Sequence, residues 1–232
     1  KTHNNKFSAM LCVSSIEALH LYCKQFQDKK DNGKHNLNIA TIFTFQPNEE
    51  IDDAFNDEKL NIPSDSRSKL EQYMKHYNSQ FGTDFSPDKF NEYRENIAKR
   101  LKEREVRKIY NTHEDIDILI VVNMFLTGFD AKCLNTLYVD KNLKYHGLMQ
   151  AFSRTNRLYD ATKSHGNIVC FLDLEKNIND ALRLFSNKNA EENVSLHDVI
   201  EIGSYEQHLE QFNEAVKKLT AIVPTPESVD GL

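Results

Sequence analysis

The chain has 232 residues, with 29 basic and 35 acidic side chains and a formal charge of −6. At 28% charged and 39% hydrophobic, it has an ordinary globular composition and enough length to bury a sizeable core in one or two domains. Seven Gly, five Pro and 14 Phe exclude collagen-like and low-complexity chains, the charge balance excludes a uniformly basic nucleic-acid coat, and no apolar run approaches the roughly 20 residues that cross a bilayer.

Lys1–Phe7 lacks the apolar region of a signal peptide, and a start without Met reads as a piece cut from a longer protein. Cys12, Cys23, Cys133 and Cys170 include no CxxC pair, so reduced thiols, no metal and a cytoplasmic location are expected. Residues 9–14, AMLCVS, read as a strand. Ser14 and Ser15 then precede Ile16, Leu19, Cys23 and Phe26 at helical spacing, a capped helix. Asp31-Asn32-Gly33 breaks it, and Leu37–Phe45, rich in Ile, Thr and Phe, reads as a second strand in a parallel βαβ unit.

Residues 46–64 hold an acidic run that reads as a solvated loop. Two helical patterns follow. Leu70, Tyr73, Met74 and Tyr77 face one way in the first; Phe90, Tyr93, Ile97 and Leu101 do so in the second. Together they predict a helical insertion over about 65–110. Arg94, Lys99, Arg100, Lys102, Arg104, Arg107 and Lys108 make the second pattern basic, either a solvated face or the wall of a DNA path. Ile116–Val122 is apolar enough for a strand buried on both faces, and Leu134–Val139 and Asn167–Leu172 are further strands. Residues 145–159 and about 175–186 read as helices. Strands alternating with helices predict an open, mostly parallel α/β sheet. Beyond residue 188, Ile202, Tyr205, Leu209, Phe212, Val216 and Leu219 make an apolar stripe that predicts a helical extension over 188–232.

Two places can carry chemistry. On a helix over 145–159, Gln150, Arg154 and Arg157 fall within about 60° of one another. Two arginines on one stripe offer planar forks suited to a phosphate; the plainer reading is two solvated arginines. Thr127-Gly128-Phe129-Asp130 follows the buried strand at its carboxyl end, where α/β sheets gather ligands. Taken alone, that tetrapeptide reads by default as a simple turn.

Their order is more specific: buried strand, TGFD loop, strand, then Gln150–Arg157, QAFSRTNR, on a helix. This resembles the second RecA-like lobe of superfamily 2 helicases and translocases, with motif V in the TGFD loop and motif VI, which carries the arginine finger, in QAFSRTNR. The stretch Met124–Phe171, together with AMLCVSS and NEYRENIAKRLK, is similar to the motor subunit of type I restriction enzymes. Lys132 departs from the pattern, which has proline after TGFDA.

The resemblance implies a RecA-like motor lobe over 1–187 within a large subunit that also carries a first motor lobe and a nuclease domain. That subunit works with methyltransferase and specificity subunits and translocates double-stranded DNA with ATP and magnesium. It implies that Arg157 and Arg154 reach the γ-phosphate and Gln150 orients them. Thr127 and Gly128 would touch a DNA phosphate, and Asp130 would couple that contact to the nucleotide. A Walker A loop, GxxxxGK[ST], is missing from this sequence, and neither Pro87-Asp88 nor Asp173-Leu174-Glu175-Lys176 makes a nuclease centre. The fragment alone is therefore expected to be inactive, its ATP site completed by a first lobe. The competing expectations are a helicase-like lobe kept for binding DNA or a partner, and a self-sufficient small α/β enzyme.

Overall fold

A computed structural model describes residues 6–44, 65–104, 114–126, 128–159, 162–185, 213–214 and 216–217. It is an α/β fold with a five-stranded parallel sheet flanked by helices, as a RecA-like lobe requires. In chain order the elements are β1 (Ser8–Val13), α1 (Ile16–Asp31), β2 (Ile39–Ile42), α2 (Ser66–Phe81), α3 (Phe90–Glu103), β3 (Ile118–Val121), β4 (Leu134–Asp140), α4 (Tyr145–Phe152), β5 (Asn167–Cys170) and α5 (Glu175–Phe185).

The sheet runs β2-β3-β1-β4-β5, every pairing parallel. The most apolar runs take its centre: Met10, Cys12 and Val13 of β1 and Leu119, Ile120 and Val121 of β3 are fully buried. Register is explicit, with Ala9 beside Ile118 on one side and Thr136 on the other. Each wholly buried aliphatic side chain contributes about 1.5–3 kcal/mol, so the central pairing is set by burial as much as by its hydrogen bonds. β5 is the opposite case. It is an edge strand, and Ile168, Val169, Phe171 and Leu172 along and just beyond it are 37–51% exposed.

Local chemistry sets the helix ends. The Ala18 amide donates to Ser15 Oγ at 3.1 Å, capping α1, and Lys29 and Lys30 face the negative end of its dipole. Gly82, in the left-handed region at φ 65°, stops α2. α2 and α3 form the predicted helices between β2 and β3. They bury Leu70, Met74, Tyr77, Tyr93, Ile97 and Leu101, and the Tyr93 hydroxyl donates to the Thr41 carbonyl at 2.6 Å, fastening α3 to β2.

Three expectations change. The strand expected over 37–45 is β2, only Ile39–Ile42. The helix expected over 145–159 stops at Phe152. The basic helix is built in at one end only: Arg94, Lys99 and Lys102 are exposed, while Arg100 and Arg104 are engaged. Arg104 is fully buried and donates to the Lys6 carbonyl at 3.1 Å, the Ile116 carbonyl at 2.5 Å and Asp117 at 3.1 Å. Arg100 lies over the Phe81 ring at 4.4 Å and donates to Asn96 and to the Glu114 carbonyl. Arg107 and Lys108 fall outside the described residues, as does the apolar stripe of 188–232 apart from Val216.

Candidate functional site

The carboxyl ends of β1, β3 and β4 lie side by side, and three bonds fix the loops that leave them. Lys141 Nζ donates to Asn123 Oδ1 at 2.5 Å, joining the segment after β4 to the loop after β3. The Tyr22 hydroxyl donates to Asp140 at 2.9 Å, joining α1 to the end of β4. Cys12 Sγ donates to the Val122 carbonyl at 3.6 Å. Burial pushes that thiol up to about 12, with Lys141 opposing and Asp140 adding to the shift, so it is neutral in the folded chain.

The loop after β3 is pinned by apolar side chains and opened by its backbone. Leu126 and Phe129 are buried, and Phe129 meets Phe125 edge to face at 4.9 Å. Phe125 and Gly128 both have φ 63°, a conformation costly for an L side chain. A Cβ on Gly128 would meet no atom within 4 Å, so glycine is required there by conformation rather than by space. Gly128 and Asp130 are exposed. Thr127 lies outside the described residues. Past the loop, buried Lys163 donates to the Lys132 and Leu134 carbonyls at 2.7 and 2.8 Å, so the exit of the loop is held where Lys132 stands.

α4 ends because its own side chains cap it. Ser153 Oγ and Arg154 Nε both donate to the Gln150 carbonyl, at 2.7 and 3.1 Å, and the Arg154 amide turns back to Ala151 at 3.1 Å. Arg154 and Arg157 therefore project from a turn and the extended chain after it, rather than from a helical stripe with Gln150. Arg154 Nη1 donates to the Phe129 carbonyl and Nη2 to Ser153 Oγ at 3.1 Å. Arg157 Nε stands 3.3 Å from Asp130 Oδ1; the two side chains are 61% and 51% exposed. Burial lowers the pKa of Arg154; Asp130 opposes that shift and Arg157 adds to it. Two arginines thus reach two neighbouring residues of the TGFD loop and enclose an open cavity of about 480 Å³, lined also by Ser153, Asn156 and Leu158.

Gln150 is not in the wall of that cavity; its Oε1 is buried with no hydrogen-bond partner among the described residues. A stranded buried acceptor costs about 1–3 kcal/mol. A larger cavity, about 730 Å³, opens around the amino ends of β1 and β3, beside β4 and the 33–37 loop. Its histidine and carboxylate are already engaged: both His35 nitrogens are within 3.2 Å of backbone partners, and the two Asp117 oxygens accept from Asn38 and Arg104. The smaller cavity brings two arginines and a carboxylate together and is the candidate site.

Sequence reasoning missed Gly166 and Lys163. Gly166 presses on the turn that carries the arginines: a Cβ there would lie 2.3 Å from the Thr155 carbonyl oxygen. Its one signal is position, immediately before a strand. Lys163 gives none, because nothing in its surroundings along the chain marks a lysine as buried.

Residues 5–173 match the family described as type I restriction enzyme subunit R domain 3. Over 231 residues, all of this chain, 46% are identical to the endonuclease subunit of the type I restriction enzyme SauCOLORF180P of Staphylococcus aureus strain COL, of which the match covers 23%. The SsaAORF53P endonuclease subunit of Staphylococcus saprophyticus is 42% identical over 99% of the chain, again 23% of the relative. The HindI endonuclease subunit of Haemophilus influenzae is 40% identical over 39% of the chain and 9% of the relative. The chain thus spans about a quarter of the length of its most similar curated relatives.

Proposed function

Since the chain belongs to the R subunits of type I restriction enzymes, we propose that it is one lobe of an ATP-driven, DNA-translocating motor and supplies one side of that motor's nucleotide site. The observation that carries this reading is the convergence of Arg154 and Arg157 on Phe129 and Asp130, beyond the carboxyl end of a buried strand. Permanent positive charge, exposed on a supported turn, is what a triphosphate across an interface requires.

The residues present fit ATP as a half site. Arg157 makes the cationic side, just beyond the turn that Arg154 ties to the loop, and Gln150 supports that turn through its backbone carbonyl, which accepts from Arg154 Nε. ATP with magnesium supplies a phosphoryl group for transfer to water. Arg157 neutralises charge that grows on the transferred group. Asp130 holds Arg157 ready, and because it shares a loop with Gly128 it ties the finger to whatever that loop touches. Thr127 and Gly128 present a hydroxyl and open backbone to a phosphate of double-stranded DNA. Among the described residues no cluster of His, Cys, Asp or Glu could hold a metal, and we place the magnesium with the triphosphate and the first lobe.

By analogy with the family we propose the remaining parts: a first motor lobe and a nuclease domain in the same polypeptide, methyltransferase and specificity subunits as partners, and a cytoplasmic complex. No described helix is long and apolar enough to cross a membrane. Arg157→Ala in the full-length subunit should lower DNA-stimulated ATP hydrolysis about 10³-fold or more while the complex still assembles. Hydrolysis at the wild-type rate would remove the role.

A further inference from the structure

We infer that Arg154 is a positioning residue that braces the TGFD loop against the end of α4, and that Arg157 is the arginine left to turn toward a ligand. The argument is one of donors. All three nitrogens of the Arg154 guanidinium already donate: Nε to the Gln150 carbonyl at 3.1 Å, Nη1 to the Phe129 carbonyl and Nη2 to Ser153 Oγ at 3.1 Å. Three of its five N–H groups are used in this way, the single Nε–H among them, so the edge that needs Nε is closed to bidentate capture of a phosphate and the group is tied down at all three nitrogens. Turning the fork outward would break the bond to Phe129, whose side chain is 4% exposed, and would also uncap α4.

Arg157 is built differently. It is 61% exposed and held by one ion pair, to a carboxylate that is itself half-exposed, a contact a ligand can outbid in water. The two arginines therefore divide the work. One makes the Gly128–Asp130 backbone and the 153–155 turn a single body; the other projects from it. A phosphate that moves the loop must then move the turn.

The assignment rests on the proposed motor function for its consequence but not for its geometry, and the test separates the two. Arg154→Ala and Arg154→Lys are placed in the full-length subunit beside Arg157→Ala. Hydrogen exchange at the Gly128–Asp130 amides reads the brace with no nucleotide present. Arg154→Ala should speed that exchange about tenfold or more, Arg154→Lys should recover part of the protection through its single ammonium, and Arg157→Ala should leave it unchanged. In steady-state hydrolysis, Arg154→Ala should raise the DNA concentration for half-maximal stimulation about tenfold while the KM for ATP stays within about twofold. Unaltered exchange in Arg154→Ala, or a raised KM for ATP with an unaltered DNA response, overturns the inference. If Arg157→Ala keeps full hydrolysis, the nucleotide reading falls and the exchange result still decides the brace. Should the alanine variant not fold, the lysine variant decides: wild-type exchange and DNA response together with a raised KM for ATP would reject it.

Discussion

An ideal Cβ on Gly166 would sit 2.3 Å from the Thr155 carbonyl oxygen and 2.5 Å from the Thr155 Cβ, and Thr155 is 1% exposed. Backbone cannot give way as a flexible side chain can, so Gly166→Ala has to displace the turn that bears Arg154 and Arg157. We expect a loss of about 1–3 kcal/mol, seen as a lower denaturation midpoint, with hydrolysis in the assembled enzyme reduced at the same time. A midpoint within error of wild type would show that the turn yields freely. Arg104 makes the second residue-scale case. Wholly buried and bonded to two carbonyls and a carboxylate, it belongs to the scaffold. Arg104→Ala should cost about 3–5 kcal/mol by leaving those acceptors unpaired, whereas Arg94→Ala on the exposed face of α3 should stay within about 0.5 kcal/mol. Equal, small losses on denaturant titration would return Arg104 to the surface. Composition marks both as basic residues of one helix; only packing separates them.

At the scale of elements, the strands and long helices were legible because burial leaves a period in the sequence. Met10, Cys12 and the run Leu119–Val121 are apolar since both sheet faces are covered, and α3 shows its Phe90, Tyr93, Ile97 and Leu101 stripe since it has one covered face. What misled was α4. Hydrophobic spacing continues through Phe152 towards Tyr159, yet Ser153 and Arg154 bond their own side chains to the Gln150 carbonyl and end the helix. A periodicity argument sees side-chain polarity but not a competing local hydrogen bond. The order of the site was legible from the TGFD and QAFSRTNR segments. Its internal geometry was not, because the Phe129 carbonyl that anchors Arg154 is a backbone atom, and no residue type announces it.

For the molecule as a whole, the charge of −6 gave no hint of a site made by two arginines and one carboxylate. A buried neutral thiol gives an overall property that can be measured. Cys12 has its pKa raised by burial from 9.0 to about 12. The unfolded chain releases that proton near pH 9 and the folded chain holds it. This part of the stability is complete below about pH 9 and declines as pH rises towards 12, by up to about 1.4 kcal/mol per pH unit. Denaturant midpoints of wild type and Cys12→Ala, followed from pH 8 upward, should converge as that decline proceeds; a constant difference across the range would reject it.

The place of β1 in the sheet also has a consequence in time. Among the described strands the earliest in chain order is the central one, and its neighbours are β3 and β4, so Ser8 meets Cys133 across 125 positions and Cys12 meets Val122 across 110. Every pairing is parallel, so none can be made early by a hairpin. At about 5–20 residues per second, the MLCV segment waits on the order of 10 seconds after synthesis before both partners exist. Slow codons between β1 and β4 would lengthen that exposure, so the speed of translation through the helical insertion bears directly on how much of the chain reaches its native sheet.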